Sequence, residues 1–429
     1  MTTAVPLPRV AVVFDFGSAS PMSILASARD LARIVFLCDR SLPHVRALYD
    51  DLRALAPVCD TTGMTDEQIV AAPDCADLAG IVTFSESQLN RTAALADRRG
   101  LAFLSVDTAA AVTDKYTQRR VLAEAGVQHT ACRVVRDLTE LAPALDTVGL
   151  PAVLKPRSGA ASARTCTVHS LDEAQVRWRA FTGAETGGST AEFVVERLLS
   201  GDPSAAGQDW ADYVSVESMT SHGDIRHVEV TGKFPLAAPL RETGYVVPST
   251  LGDGWRDEVL ALTTAALTAL GVRHGITHTE VKLTPGGPRI IEVNGRLGGY
   301  VADLVRRARG FDLVRAALTV ALGRPYSPPA TAYRRHAFQY FLTPPMEAVA
   351  LRRLDGIDEL GDVPGIHLVE VLTEPGTALD WRRGTLAYLG IVHGSAPDHR
   401  GVLRLVDLIG RTLHVEYERA PESDENRTN

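Results

Sequence analysis

The run His278-Thr-Glu280-Val-Lys282-Leu-Thr-Pro-Gly-Gly-Pro-Arg289-Ile-Ile-Glu292-Val-Asn294-Gly-Arg296 decides how this chain is read. Two apolar–polar alternating stretches flank Thr284-Pro285-Gly286-Gly287-Pro288, a cluster of turn formers, which predicts a β-hairpin. With the turn centred on Gly286, Glu280 falls opposite Glu292 and His278 opposite Asn294. Side chains return to the same face of a strand every second residue. His278, Glu280 and Lys282 therefore share a face with Glu292, Asn294 and Arg296. Two carboxylates facing each other across a ladder repel, and a divalent cation between them removes that cost. Oxygen donors from Glu280, Glu292 and Asn294 suit Mg²⁺, which takes one or two carboxylates together with substrate phosphates. A solvated polar face on an edge hairpin is the plainer alternative for an arbitrary Glu/Glu pair. The convergence of Asn294, Lys282 and Arg296 on the same face favours a metal–phosphate site.

Composition bounds the rest. A chain of 429 residues is too long for one ordinary core, so about two to four domains are expected. Its 45% hydrophobic and 22% charged residues are those of a soluble globular protein. A net charge of −8 disfavours a nucleic-acid partner, which needs a basic field. The apolar run Val10–Phe14 is too short for a signal peptide or a membrane span. The five cysteines, Cys38, Cys59, Cys75, Cys132 and Cys166, form no C-x-x-C pair, which fits a reducing cytoplasm.

Residues 9 to about 110 alternate strand and helix patterns. Strands are expected at Arg9–Phe14, Ile34–Cys38, Leu78–Phe84 and Ala102–Val106, with helices at Pro21–Leu31 and Ser87–Arg99. This is the rhythm of a parallel sheet covered by helices on both faces. The loop Asp15–Pro21 lacks G-x-G-x-x-G and reads as a plain strand–helix turn. Ser85-Glu86-Ser87 reads as a helix N-cap.

From Asp114 to Gly126 a capped amphipathic helix is expected. Ala131–Val135 and Ala152–Lys155 follow as strands, and the second runs into Pro156-Arg-Ser158-Gly-Ala-Ala-Ser162-Ala-Arg164-Thr165. Small residues let backbone N–H groups approach phosphate oxygens, and Lys155 adds a charge at the mouth. The lysine precedes the flexible segment, so this is not a Walker A loop. A short strand is expected from Glu192, breaking at Gly201, with further strands at Asp212–Glu217 and Ile225–Lys233, and helices at Trp255–Leu270, Tyr300–Arg309 and Asp312–Leu322. Gly323–Pro329 reads as a boundary. Strand-like runs such as Gly361–Val371 and Thr385–Val392 follow, then a charged tail, Arg419–Asn429, expected to be disordered.

Taken in order, Asp114-Lys115, Val-Leu-Lys155-Pro, Val-Val-Glu196 before Gly201, Thr-Glu280-Val-Lys282 and Ile-Glu292-Val-Asn294-Gly-Arg296 resemble the ATP-grasp superfamily over about residues 5–330, and the order of motifs is more specific than any one of them. Within it, Asp212–Glu217, Arg241–Ser249 and Thr277–Lys282 resemble bacterial L-amino acid ligases, the dipeptide-forming carboxylate–amine ligases of the bacilysin-synthesis type. The resemblance implies an α/β and α+β architecture: a Rossmann-like domain (1–112), a small lid subdomain (113–200), a large subdomain (201–332), a small C-terminal domain (333–418) and the tail (419–429). It implies an enzyme that uses ATP and Mg²⁺, two ions being expected and Mn²⁺ a substitute. Lys115, Lys155, Ser158 and Ser162 would hold ATP phosphates, Glu196 and Leu198 would frame adenine, and Asp212 would contact the ribose. Glu280, Glu292 and Asn294 would carry the metal. Arg296 and Lys282 are the implied catalytic residues, and Glu242, Tyr245, Arg296 and Gly298 would line the substrate pocket. Two departures stand out: Ala161 and Ala163 replace family glycines in the phosphate loop, and the spacing from Gly201 to Asp212 is long.

The implied reaction is ADP-forming amide synthesis through an acyl phosphate. Its chemistry needs positioning and charge neutralisation, a preorganised oxyanion donor and a lid that excludes water. Partners are then small carboxylates and amines, amino acids foremost, with neither nucleic acid nor membrane, and a homodimer stays open. Two alternatives remain: another ATP-grasp ligase or carboxylase acting on a non-amino-acid acceptor, and a non-catalytic nucleotide-binding module. His274 and His278 share a strand face, but no further His or Cys accompanies them, so a zinc site is not expected.

Overall fold

A computed structural model of the protein describes residues 6–183, 192–326, 328 and 332–419. The first sheet is parallel: β1 (Arg9–Phe14), β2 (Arg33–Cys38), β3 (Val58–Asp60) and β4 (Leu78–Val82), in the order β3-β2-β1-β4. The apolar runs of β1 and β2 are buried on both faces, as helix-covered parallel strands require. Val10, Val12 and Phe14 enter one core while Ala11 and Val13 enter another. The strand order reverses beside β1, which opens a crevice at the carboxyl ends of β1 and β4. The two loops there are tied together, Ser18 N–H to Phe84 O at 2.9 Å and Ser85 Oγ to Asp15 O at 2.7 Å.

The strand expected at Ala102–Val106 is not formed. Leu104 is buried in a core outside this sheet, and the Ser105 side chain accepts a hydrogen bond from Thr108 N–H, starting the helix Val106–Thr113. Asp114 likewise caps the helix Lys115–Glu124 by accepting from Thr117 N–H. A second sheet is antiparallel, with β5 (Cys132–Val135), β6 (Ala152–Pro156), β7 (Cys166–Val168) and β8 (Phe193–Arg197) in the order β5-β8-β6-β7. Its inner face packs on the helices Leu141–Val148 and Leu171–Thr182 through Val135, Leu145, Trp178 and Phe193.

The remaining strands are β9 (Tyr213–Ser221), β10 (Asp224–Lys233), β11 (Gly244–Val247), β12 (Gly275–Thr284), β13 (Gly287–Asn294), β14 (His336–Phe341), β15 (Ala348–Asp355), β16 (Ile366–Val371), β17 (Gly390–Ala396) and β18 (His414–Arg419). Eight of them form one antiparallel sheet, β13-β12-β9-β10-β11-β14-β17-β16, while β15 and β18 pair separately. Three strands from beyond residue 333 thus continue the sheet that carries the hairpin. The run Gly361–Val371 becomes a strand only from Ile366, after a short helix Ile357–Gly361. Thr385–Val392 is not one strand either. A 3₁₀ segment, Trp381–Ala387, is kinked at Gly384 (φ 66°, ψ −136°), a conformation a strand cannot hold, and β17 starts at Gly390. Of the charged tail, Arg419 ends β18, and residues 420–429 lie outside the described residues. The helices Val301–Arg309 and Leu313–Ala321 share their core with β1, β2 and the helix Pro21–Ala28, which seats the first sheet against the third. Among the described residues no helix is long and apolar enough to cross a membrane.

Candidate active site

The hairpin reaches the expected pairing by an unexpected route. Glu280 lies opposite Glu292 and His278 opposite Asn294. The turn, however, is the two-residue Pro285-Gly286 between paired Thr284 and Gly287, and a bulge between Glu280/Val281 restores the register. Lys282 consequently faces Arg289, and Ile291 is the extra residue. A bulge re-aims side chains, and Ile291 and Glu292 both line a cavity of about 730 Å³. This cavity is bounded by the carboxyl end of β1 with the loop after it, Glu86, the loop after β6, the end of β8, the hairpin face and residues 385–393.

Within it the two carboxylates are separately neutralised. Lys115 Nζ is 2.9 Å from Glu292 Oε1 and donates to Gly159 O at 2.8 Å. His278 Nε2 is 3.6 Å from Glu280 Oε1, while its Nδ1 is hydrogen-bonded to the fully buried Glu217. Burial disfavours the imidazolium, but Glu217 and Glu280 outweigh it and push His278 up to about 9. Burial also opposes ionisation of Glu280, yet His278, Lys233 and Arg296 bring it down to about 2. Asn294 Nδ2 donates to His278 O at 3.4 Å, and the residue lines the cavity, where its amide oxygen is a candidate metal ligand. Among the described residues no group of three His, Cys, Asp or Glu could hold a metal, so a cation here needs that amide oxygen. Two opposed carboxylates and an amide are an all-oxygen set, and it fits a hard divalent ion completed by phosphate oxygens.

A second charged centre lies under the loop. Glu196 Oε1 accepts from Lys155 Nζ at 2.5 Å, and Oε2 accepts from Arg119 Nε at 3.0 Å. Burial would raise the Glu196 carboxyl, but Arg119 and Lys155 pull it down to about 2. Val153, Leu198, Leu199 and Ile291 supply apolar walls beside it. In the loop, Ala161, Ser162 and Arg164 adopt positive φ (58°, 53° and 50°), so Ala161 is held in a conformation that favours the glycine usual in such loops.

The wall opposite is Glu242. Its carboxylate accepts from Lys233 Nζ at 3.0 Å and from Tyr245 OH at 2.5 Å, and Tyr213 OH stands 3.4 Å away. Lys233, fully buried, also lies 3.8 Å from the centre of the Tyr245 ring, a cation–π distance. Arg296 is held by Glu86 of the first sheet's crevice at 2.9 Å. Glu86 is therefore a partner of the site and not merely part of a helix start. Burial pushes its carboxyl up against the pull of Arg296.

Of the residues singled out from the sequence, Lys115, Lys155, Ser162, Glu196, Leu198, Glu242, Tyr245, Glu280, Lys282, Glu292, Asn294 and Arg296 line the cavity. Ser158, Asp212 and Gly298 do not. Asp212 accepts from Lys282 Nζ at 2.6 Å. Gly298 sits behind the wall, where its N–H donates to Glu217 and a Cβ would overlap the His278 ring. Glu86, Arg119, Glu217, Lys233 and Thr385 were not singled out as site residues. Only Glu86, two residues past the strand expected to end at Phe84, carried a local signal; the others come from separate elements.

Comparison with known proteins adds four matches. Residues 148–303 match the family model of the ATP-grasp domain. The chain is 25% identical over 269 residues to the alanine–anticapsin ligase of Bacillus subtilis (strain 168), covering 59% of this chain and 56% of that protein. It is 20% identical over 342 residues to the L-arginine-specific L-amino acid ligase of Bacillus subtilis, 78% of this chain and 79% of that one. The chain spans little more than half the length of the alanine–anticapsin ligases it matches. In fold it is similar to the crystal structure of an L-amino acid ligase from Bacillus licheniformis, with a TM-score of 0.76 and 19% identity over 97% of this chain and all of that one.

Proposed function

We propose, from the premise that residues 148–303 are an ATP-grasp domain, that this protein is an ADP-forming carboxylate–amine ligase joining small molecules, amino acids foremost, by an amide bond. One observation carries the reading. The opposed Glu280 and Glu292 share a single cavity with Lys115, Lys155 and Arg296 and with the Glu242–Tyr245 wall. A module that only binds nucleotide has no need of two opposed carboxylates that each require a neighbouring cationic side chain, Lys115 and His278, to be held together.

In this reading Lys115 and Lys155 hold ATP phosphates, with Ser162, Ser158 and the loop's backbone N–H groups around them. Glu196 keeps the Lys155 ammonium at the loop mouth, and Leu198, Val153 and Ile291 enclose the purine. Asp212 acts on the ribose end through Lys282. Divalent ions, Mg²⁺ with Mn²⁺ as a substitute, would be held by Glu280, Glu292 and Asn294 and neutralise charge on the transferred phosphoryl group. The acid's carboxylate oxygen attacks the γ-phosphorus, and ADP leaves. The amine then adds to the acyl carbon, phosphate leaves with the C–O bond electrons, and the amine's proton is released. Arg296 stands where charge develops in both steps and stabilises it. Glu242, oriented by Lys233 and Tyr245, receives a substrate ammonium group. Two bound ions and a cytoplasmic setting belong to the same proposal, as does a domain division in which residues beyond 333 continue the large subdomain's sheet.

The test is phosphate release from Mg·ATP across a matrix of amino acids, other acids and amines, with products identified by mass. An ATP-dependent amide from at least one pair is the expected result. ATP binding with no phosphate released by any pair would overturn the ligase reading.

A further inference from the structure

The 3₁₀ segment Trp381–Ala387 touches the loop after β6, the Glu242 wall and the helix Leu171–Thr182. Arg164 N–H, in the loop after β6, donates to Arg382 O at 2.8 Å, and Thr385 N–H donates to Ala161 O at 2.8 Å. Two backbone bonds thus tie the loop to a segment more than two hundred residues away in the chain. They require Gly384: its φ of 66° lies in the left-handed region, and a Cβ there would overlap the Ala161 carbonyl and the backbone of Ser162 and Ala163. On the other side the Thr385 hydroxyl accepts from Glu242 N–H at 3.2 Å. Thr385 is buried and lines the cavity. The segment is anchored on the small sheet's helix as well, since Trp381 packs on Phe181 at 5.8 Å and Arg382 Nη1 donates to Ala180 O at 3.2 Å.

We infer that Gly384 and Thr385 are positioning residues, a latch that holds loop 157–165 closed over the reacting phosphoryl group and links that closure to the Glu242 wall. The inference rests on the ligase reading for its chemistry. An acyl phosphate left open to solvent is attacked by water, which returns the free acid and inorganic phosphate and wastes one ATP. A closed loop excludes that water. The latch therefore sets how much phosphate is released per amide formed. One residue, Thr385, joins the loop backbone to the backbone of the residue assigned to substrate recognition, so closure and substrate seating favour one another.

Two measurements on the whole 429-residue chain separate this inference from the ligase reading. The first is trypsin cleavage after Arg157 and Arg164, timed in wild type and Gly384→Ala. The variant cannot seat its loop, and cleavage should accelerate by about fivefold or more, the scale of losing one or more ordinary hydrogen bonds. The second is the ratio of phosphate to amide in Thr385→Val, which keeps both backbone bonds and loses only the acceptor for Glu242. That ratio should rise several-fold, and Thr385→Ser should restore it. Unchanged cleavage in Gly384→Ala, or an unchanged ratio in Thr385→Val, overturns the latch. A wild type that forms no amide overturns the ligase reading, while the cleavage comparison still decides the latch.

Discussion

The Glu86 carboxylate stands 2.9 Å from Nε of Arg296, joining the crevice of the first sheet to the residue that follows the β12–β13 hairpin. The other end of that guanidinium donates to Leu297 O at 3.0 Å, so Arg296 is fixed at two points. A preorganised cation needs little rearrangement when charge develops beside it.

The anchor can be removed without touching the arginine. Glu86→Gln should lower turnover on the order of tenfold, the scale of one close charge pair. ATP affinity should stay within a few-fold. Steady-state kinetics beside calorimetric titration checks both, and unchanged turnover would remove Glu86 from the site.

Arg296→Ala should cost turnover far more than ground-state binding, because its partner charge grows in the transition state. The expected loss is on the order of 10²-fold, as for an oxyanion donor. An equal loss in Mg·ATP affinity, read by calorimetry, would make Arg296 a simple nucleotide ligand.

Glu292→Gln keeps the side chain's shape and removes one of two opposed charges. Turnover should vanish while the protein still folds, with a lower melting temperature because the largely buried Lys115 loses the carboxylate 2.9 Å from its ammonium. The Mg²⁺ dependence of nucleotide binding should weaken. Near-normal activity at ordinary Mg²⁺ would end the metal assignment.

The buried Lys155–Glu196–Arg119 cluster predicts a dependence on pH. Glu196 is held down to about 2 when folded, against an ordinary carboxyl near 4.3. A depressed acid stabilises the fold above its ordinary value, and that contribution is lost as pH falls toward about 2. Thermal melts between about pH 5 and 2 should therefore show a steep loss of stability that is shallower in Glu196→Gln. The same variant should melt lower at neutral pH, because Arg119 and Lys155 are left buried and unpaired. Parallel acid profiles for the two proteins would contradict this account.

The hairpin was legible in the sequence because its determinants are local. Period-two alternation and a turn cluster placed Glu280 opposite Glu292 and put Asn294 and Arg296 on their face. The bulge at Ile291 was not legible, since a turn centred half a residue further on, at Gly286, gives the same pairing without it. The parallel first sheet and the capped helix at Lys115 were equally readable, for strand burial and capping act over a few residues. Ala102–Val106 misled because an apolar run does not say whether its partner is a strand or a core; Ser105 capping the next helix decided that. What tertiary structure alone decided is the set of partners brought from elsewhere: Glu86 for Arg296, Glu217 for His278, Lys233 for Glu242 and Thr385 for the loop at Ala161. Likewise the entry of β14, β16 and β17 into the hairpin's sheet has no sequence period behind it. Ion pairs and strand neighbours between remote segments depend on how whole layers pack, and no local pattern along the chain encodes that packing.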